Sequence, residues 1–199
     1  MSIIKNKVVW TIVQFTTAAA LISVMLSANA AETSMAPMVV KSDIPGIQNY
    51  SRFDSSPGFA GSSVGFGGAT QPSAMSRLEN AGFAAVINLR LATEEGADVD
   101  DSRIAAESVG LNYIHLPFDT TNPDPDVVDN FLTAVGDKDN RPVYIHCGSA
   151  TRVATLWMIG RVLKDGLAID TASAEVEVIA GKPSDAIAFA TNYITSHRK

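Results

Sequence analysis

Pro142-Val143-Tyr144-Ile145-His146-Cys147-Gly148-Ser149-Ala150-Thr151-Arg152 is the stretch on which the reading of this chain turns. Val143-Tyr144-Ile145-His146, after Pro142, reads as a buried strand running into Cys147. A short loop of small polar residues follows, and residues 152–164 read as a strongly apolar helix. Strand, loop and helix in that order are half of a parallel α/β unit. The same alternation extends toward the N-terminus. A helix expected over 73–81, capped by Ser73 and ended by Gly82, leads into a strand over 83–89. A helix over 94–109, with Ile104, Ala105 and Val109 on its apolar side and Gly110 closing it, leads into a strand over 111–118. A polar loop over 119–125 precedes a helix over 126–135, where Val127, Val128, Phe131, Leu132 and Val135 fall at helical spacing. Residues 137–140 turn the chain into the strand that reaches Cys147.

Residues 44–72 hold several glycines and three prolines, so they read as turns around short strands, with Phe53, Val64 and Phe66 as the apolar positions. Downstream, Gly181-Lys182-Pro183 breaks the remainder into one or two further helices. The expected fold is α/β, a mainly parallel central sheet flanked by helices, in one domain over 44–199 with no internal repeat.

The N-terminus has a separate purpose. Met1 to Lys7 carries two lysines and no acid, and Val8 to Leu26 is mostly apolar. Ala28-Asn29-Ala30 then supplies the small-x-small pattern cut by signal peptidases, so residues 1–30 read as a cleaved signal peptide. Left uncleaved, the apolar stretch would be the chain's one route to a membrane. No cysteine follows it to carry a lipid. Residues 31–43 read as a flexible leader. The expected location is the periplasm or the medium outside the cell.

Charge and cysteine usage narrow the function. The 199 residues include 15 Lys and Arg against 21 Asp and Glu, a net charge of −6. Removing residues 1–30 leaves 13 basic residues and a net charge of −8. That balance speaks against nucleic acid as a partner, which requires a basic surface. A single cysteine rules out an internal disulfide and a multi-cysteine zinc site, and three histidines make a histidine-rich centre equally unsuited. No metal or cofactor is expected.

The lone thiol therefore needs a purpose of its own. In open α/β sheets ligands bind at the carboxyl ends of strands, where Cys147 falls. The loop amides of Gly148, Ser149, Ala150 and Thr151 and the helix N-terminus after them would cradle an anion. A helix N-terminus also favours a thiolate over a thiol, and the thiolate is the nucleophile. Gly148 is expected to let the loop turn tightly, and Arg152 offers a planar fork of donors suited to phosphate or sulfate. Arg90, ending a neighbouring strand, either faces the same crevice and binds the anion or pairs with Glu94 or Glu95.

His146-Cys147 through Arg152 resembles the signature loop of cysteine-dependent phosphatases. More closely, the chain resembles the bacterial tyrosine-phosphatase-like domain of beta-lactamase-hydrolase-like proteins, over about residues 46–165. Thr70-Gln71-Pro72, Val86-Ile87-Asn88-Leu89-Arg90 and Tyr113-Ile114-His115-Leu116-Pro117 are its other marks. The resemblance implies a cysteine-phosphatase-like fold and phosphoryl transfer to Cys147, giving a thiophosphate. Arg152 and the loop amides would hold the equatorial oxygens, and His146 would tune the thiol. A carboxylic acid in the loop after the preceding strand would protonate the leaving oxygen; Asp119 is the candidate, with Asp124 and Asp126 behind it. The plainer alternative for these aspartates is turn and cap chemistry, which suits Asp126. The substrate implied is a phosphorylated protein or a small phosphate ester.

The chain departs from that pattern in two places. Four residues separate Cys147 from Arg152, where most cysteine phosphatases have five. Val153 stands where they carry a serine or threonine. The four-residue loop is also that of rhodanese-like sulfurtransferases, so a persulfide carrier is one alternative. The missing hydroxyl makes a non-catalytic anion-binding module the other.

Overall fold

The structure is a computed structural model, and it describes residues 39–54, 58–181 and 183–198. The expected signal peptide and most of the expected leader lie outside the described residues. The end of the leader does not: Val39–Lys41 is a strand, β1, paired antiparallel with β2 (Ser51–Phe53). Flexibility is the wrong expectation for those three residues, because a neighbouring strand takes up their backbone groups. The chain continues through β3 (Val64–Gly67), α1 (Met75–Asn80), β4 (Ala85–Asn88), α2 (Val99–Ser108) and β5 (Asn112–His115). Then come α3 (Pro125–Gly136), β6 (Val143–His146), α4 (Thr151–Leu163), α5 (Ile169–Ala180) and α6 (Ser184–His197). Among the described residues no helix is long and apolar enough to cross a membrane.

The strands form one sheet in the order β1-β2-β3-β6-β4-β5. β3, β6, β4 and β5 are parallel, as the alternating pattern requires, and β1 and β2 add an antiparallel edge. In register, His146 lies opposite Gly67 on one side and Asn88 on the other, while Asn88 lies opposite His115. Four strand ends are therefore level, and the loops that leave them meet in one crevice.

Successive residues of a strand face opposite sides, and β6 shows the consequence. Val143 and Ile145 join the larger core, packed with α3 to α6. Tyr144 joins the smaller core with Met75 and Leu78 of α1 and Ala106 of α2. Trp157 of α4 anchors the larger core, its ring 5.0 Å from Phe66 and 5.9 Å from Phe53. Its Nε1 donates to Glu175 of α5 at 2.7 Å. Glu175 also takes both forks of Arg161, which reaches Asp165 as well. Asp165 in turn accepts from the Phe59 backbone at 2.6 Å. The buried ion network thus ties α5 and the 58–61 loop to α4.

Several local expectations are corrected. α2 starts at Val99 and not at residue 94, because residues 94–98 are bent back by turns, Glu94 N to Leu91 O and Ala97 N to Glu94 O. That start rotates the helix: Ile104 is 59% exposed, and Ser102 and Ala106 face inward. Ser73 caps nothing; it sits inside a single 3-10 turn, Pro72–Ala74, that leads into α1. Asp124, not Asp126, caps α3, its carboxylate accepting from Asp126 N at 2.9 Å.

Removing one partner of a buried ion pair strands the other charge in a low-dielectric interior. Glu175→Ala is therefore expected to destabilise the protein by about 3–5 kcal/mol, read as a lowered urea midpoint at unchanged slope. A loss below about 1 kcal/mol would show that the network carries no structural load.

Candidate active site

Cys147 is fully buried where β6 gives way to the loop before α4. Its N–H extends the sheet ladder by one residue, donating to Gly67 O at 3.2 Å. Ala69 N donates to Gly148 O at 2.8 Å, and Leu89 N to His146 O at 2.9 Å. The loops after β3 and β4 thereby grip the loop after β6 from both sides. Gly68 permits this approach, since a Cβ there would stand 3.1 Å from Gly148 O and 3.3 Å from Ser149 Cα.

The tight turn falls elsewhere than expected. Gly148 has no left-handed backbone; Ala150 does, at φ +73°, immediately before α4. A left-handed alanine costs about 1 kcal/mol or more, and the surrounding packing, with Ala150 fully buried, holds it. The bend turns the amides of residues 148–153 away from the chain: none has a backbone acceptor among the described residues. Such an array at a helix N-terminus suits an anion. Ser149 and Thr151 place their hydroxyls 3.1 Å apart on the outer rim.

Arg152 points back toward this loop and is held by Glu94, a residue that local spacing offers only as a partner for Arg90. Glu94 grips the end of the Arg152 guanidinium, Oε1 to Nη1 at 2.5 Å and Oε2 to Nη2 at 2.8 Å. Nη1 also donates to Leu89 O at 3.2 Å and Phe118 O at 3.4 Å. The carboxylate occupies the Nη1–Nη2 edge of the fork, and the Nε–Nη2 edge is the second bidentate edge of the same group. Burial works against the charge on Arg152, but hydrogen bonding by Glu94 and the charges of Cys147 and Glu94 raise its pKa above the ordinary value. The hydrogen bond from Arg152 holds the Glu94 carboxyl far down, at about 2, with burial opposing and Leu91 N and Arg90 assisting. Sequence carried one trace of this arrangement, the four-residue spacing of Arg90 and Glu94; the separation of 58 positions between Glu94 and Arg152 hid the rest.

His146 and Cys147 project to opposite faces of the sheet. The imidazole is fully buried and stacks on Tyr144, ring centroids 5.8 Å apart. Tyr144 is itself held by Thr70 through a 2.7 Å hydrogen bond. Burial, with the charge of Arg90 behind it, pushes the His146 pKa down to about 3, so the ring is neutral at physiological pH.

Arg90 is 6% exposed and turned inward, contrary to a surface pair. Its donors go to Glu94 Oε2 at 3.2 Å, Gly96 O at 2.5 Å and Glu95 O at 2.6 Å. Asp119 begins the loop after β5, next to Phe118, whose carbonyl meets Arg152. Its Oδ1 accepts from Thr121 Oγ1 at 2.7 Å and Thr121 N at 2.8 Å. Those two bonds, helped by the charge of Arg152, hold its carboxyl below the usual range. The Asp124 carboxylate is occupied with the start of α3, accepting from Asp126 N in its first turn. Beside the loop, Gln48, Thr70, Gln71, Arg90 and Glu95 line a cavity of about 470 Å³. Among the described residues no three metal-binding side chains lie together.

Residues 60–164 match the family described as the phosphatase-like domain of beta-lactamase hydrolase-like protein. No curated protein matches the chain in sequence. Among solved structures, TpbA of P. aeruginosa superposes with a TM-score of 0.58 at 18% identity, over 81% of this chain and 92% of that one. A putative phosphatase of Shewanella putrefaciens gives 0.58 at 16% identity, over 79% and 99%. The catalytic core of the PP-IP phosphatase SIW14 of S. cerevisiae gives 0.56 at 15% identity, over 75% and 87%. One structure of TpbA is a complex with phosphotyrosine. These likenesses establish a cysteine-phosphatase fold.

Because the Glu94 pKa is lowered on folding, its contribution to stability is full above the ordinary value of 4.5 and is lost as pH falls toward 2. The stability difference between wild type and Glu94→Gln should be of order 2 kcal/mol at pH 7 and close between pH 4.5 and 2. A difference that stays constant across that window would show that Glu94 is not ionically held.

Proposed function

Because the chain belongs to the phosphatase-like domain family of beta-lactamase hydrolase-like proteins, we propose that it is an exported cysteine-dependent phosphatase. Its substrates on this reading are phosphate monoesters, a phosphotyrosine or phosphoserine protein or a small ester. The observation that carries the reading is buried Cys147 at the end of β6, followed by amides of residues 148–153 with no backbone acceptor among the described residues and by Arg152 in the same loop. The phosphotyrosine held by TpbA and the description of SIW14 as a PP-IP phosphatase support a phosphate ester as substrate class.

The chemistry divides into two displacements. The Cys147 thiolate attacks phosphorus in line; the P–S bond forms as the bond to the leaving oxygen breaks, and Asp119 gives that oxygen its proton. The loop amides and the Nε–Nη2 edge of Arg152 hold the equatorial oxygens, where transition-state charge gathers. Water then attacks phosphorus, its proton passes to the Asp119 carboxylate, and the thiolate departs. His146, neutral and on the opposite face of the sheet, acts on the thiol through the backbone between them. The Thr121 bonds favour ionised Asp119, so the acid form requires them to open.

The second step lacks a helper. Val153 is buried in the larger core and offers no hydroxyl to the departing thiolate. That observation favours a second reading, an anion-binding module without turnover.

With an aryl phosphate, the full chain should turn over and Cys147→Ser should not; equal rates would refute the phosphatase reading. Acid quenching should trap phosphate on Cys147, because breakdown of the thiophosphate is the slower step. Phosphate binding that survives Cys147→Ser, without turnover in either protein, would establish the second reading, and sulfur gained by Cys147 from thiosulfate would mark a persulfide carrier. The exported form should begin at Ala31 by mass.

Asp119→Asn should cost about 100-fold or more with alkyl phosphates and much less with p-nitrophenyl phosphate, whose leaving group needs no proton. Thr121→Val removes a bond that lowers the Asp119 pKa, so the limb of the pH profile requiring protonated Asp119 should extend to higher pH. An unmoved limb would assign the acid to another group.

A further inference from the structure

Arg90 follows the end of β4 at the crevice, where a cation would ordinarily be taken for a ligand of the anion. Its surroundings assign it differently. The backbone is fixed from two sides: Asn88 Oδ1 accepts from Arg90 N at 2.9 Å, and His115 Nε2 lies 2.8 Å from Arg90 O. Asn88 is itself held, its amide donating to Tyr113 Oη at 2.8 Å. The side chain therefore leaves a rigid base, and the segment after it wraps around the guanidinium. Nη1 and Nη2 take the carbonyls of Gly96 and Glu95, while Nε takes Glu94 Oε2.

Glu94 is thereby saturated. Oε1 accepts from Leu91 N and Arg152 Nη1, and Oε2 from Arg90 Nε and Arg152 Nη2. A carboxylate has about four lone-pair directions, and here all of them are used. Arg90 supplies one of those four bonds and, through Glu95 and Gly96, ties down the segment that carries the carboxylate. Without Arg90 the carboxylate would lose one of its four bonds and the segment that carries it would lose its tie, loosening the end-on grip on Arg152.

We infer that Arg90 is a positioning residue that acts through Glu94, fixing the carboxylate so that Arg152 presents its remaining edge to an oxyanion in the loop of residues 147–152. The inference rests on the phosphatase reading for its kinetic readout, while its binding readout uses an oxyanion alone. Arg90 touches no substrate on this view. Its effect reaches the reacting atoms only as the orientation of Arg152.

A double-mutant cycle separates this role from direct contact and from a merely structural one. Arg90→Ala in the otherwise wild-type chain should lower kcat/KM for p-nitrophenyl phosphate, and the affinity for orthovanadate, by roughly 10- to 100-fold, as expected for misorientation of a catalytic group. Most of the loss should fall in kcat, since orientation matters most in the transition state. In a Glu94→Gln background the same substitution should cost less than about 2-fold, because the relay is already cut. Equal factors in the two backgrounds, or no loss in the wild-type background, would overturn the inference.

Arg90→Lys keeps the charge but not the three-way fork. It runs the same cycle where the alanine variant fails to fold, and it should show a partial loss that also vanishes with Glu94→Gln. Thermal midpoints are recorded for every variant; a lowered midpoint with unchanged vanadate affinity would leave Arg90 a purely structural residue. If wild type binds vanadate yet hydrolyses no phosphate ester, the phosphatase reading fails while the vanadate cycle still decides the role of Arg90.

Discussion

β6 is hydrogen-bonded on both sides, to β3 and to β4, and the layout of the site depends on that constraint. A central parallel strand is covered on both faces by helices and must leave the sheet at its carboxyl end. Because Gly67, His146, Asn88 and His115 end level, the loops of four strands emerge together. The chain after His146 has no room to continue straight, and its neighbours take the first hydrogen bonds, Cys147 N donating to Gly67 O and Leu89 N to His146 O. What remains is a short, sharply bent loop with unclaimed amides. This array of amides is a consequence of how the sheet ends.

Charge is then arranged across that crevice by one carboxylate. The acidic chain carries two arginines at the site, and Glu94 engages both. Two buried guanidinium groups left unpaired would repel one another and lose their hydration. Shared on Glu94, they are held apart, and Nη2 of Arg152 comes close to Gly148 of the loop. His146 adds no charge, because burial against Tyr144 keeps it neutral. The positive field of the site therefore comes from Arg152 and the loop amides, an arrangement suited to an anion within an acidic protein.

Much of the architecture was legible because it rests on periodicity. The buried run Val143 to His146, the helical spacing of Val128, Phe131, Leu132 and Val135, and the glycines closing helices are short-range signals with short-range causes. The misreadings share one origin. Spacing counted from residue 94 turns Ile104 inward, but the pull of Arg90 on residues 94–96 delays the helix to Val99. Asp126 resembles a cap, and Asp124 holds that place because Pro125 starts the helix. Gly148 is the natural turn residue by composition, whereas packing around Ala150 imposes the left-handed turn on a residue with a Cβ.

By itself, the sequence determined the alternation of strand and helix, the position of the lone thiol at a strand end and the arginine that closes the four-residue loop after it. Those are properties of adjacent residues, and local propensity and hydrophobic pattern express them directly. Only the tertiary structure decided that Glu94 holds Arg152, that the charge of Arg90 is taken up by the same carboxylate and by the carbonyls of Glu95 and Gly96, and which of the two cores receives each face of β6. The physical reason is range. Each of these depends on strand order and register, which bring residues 58 positions apart within hydrogen-bonding distance, and no local pattern records which partner a buried charge will meet.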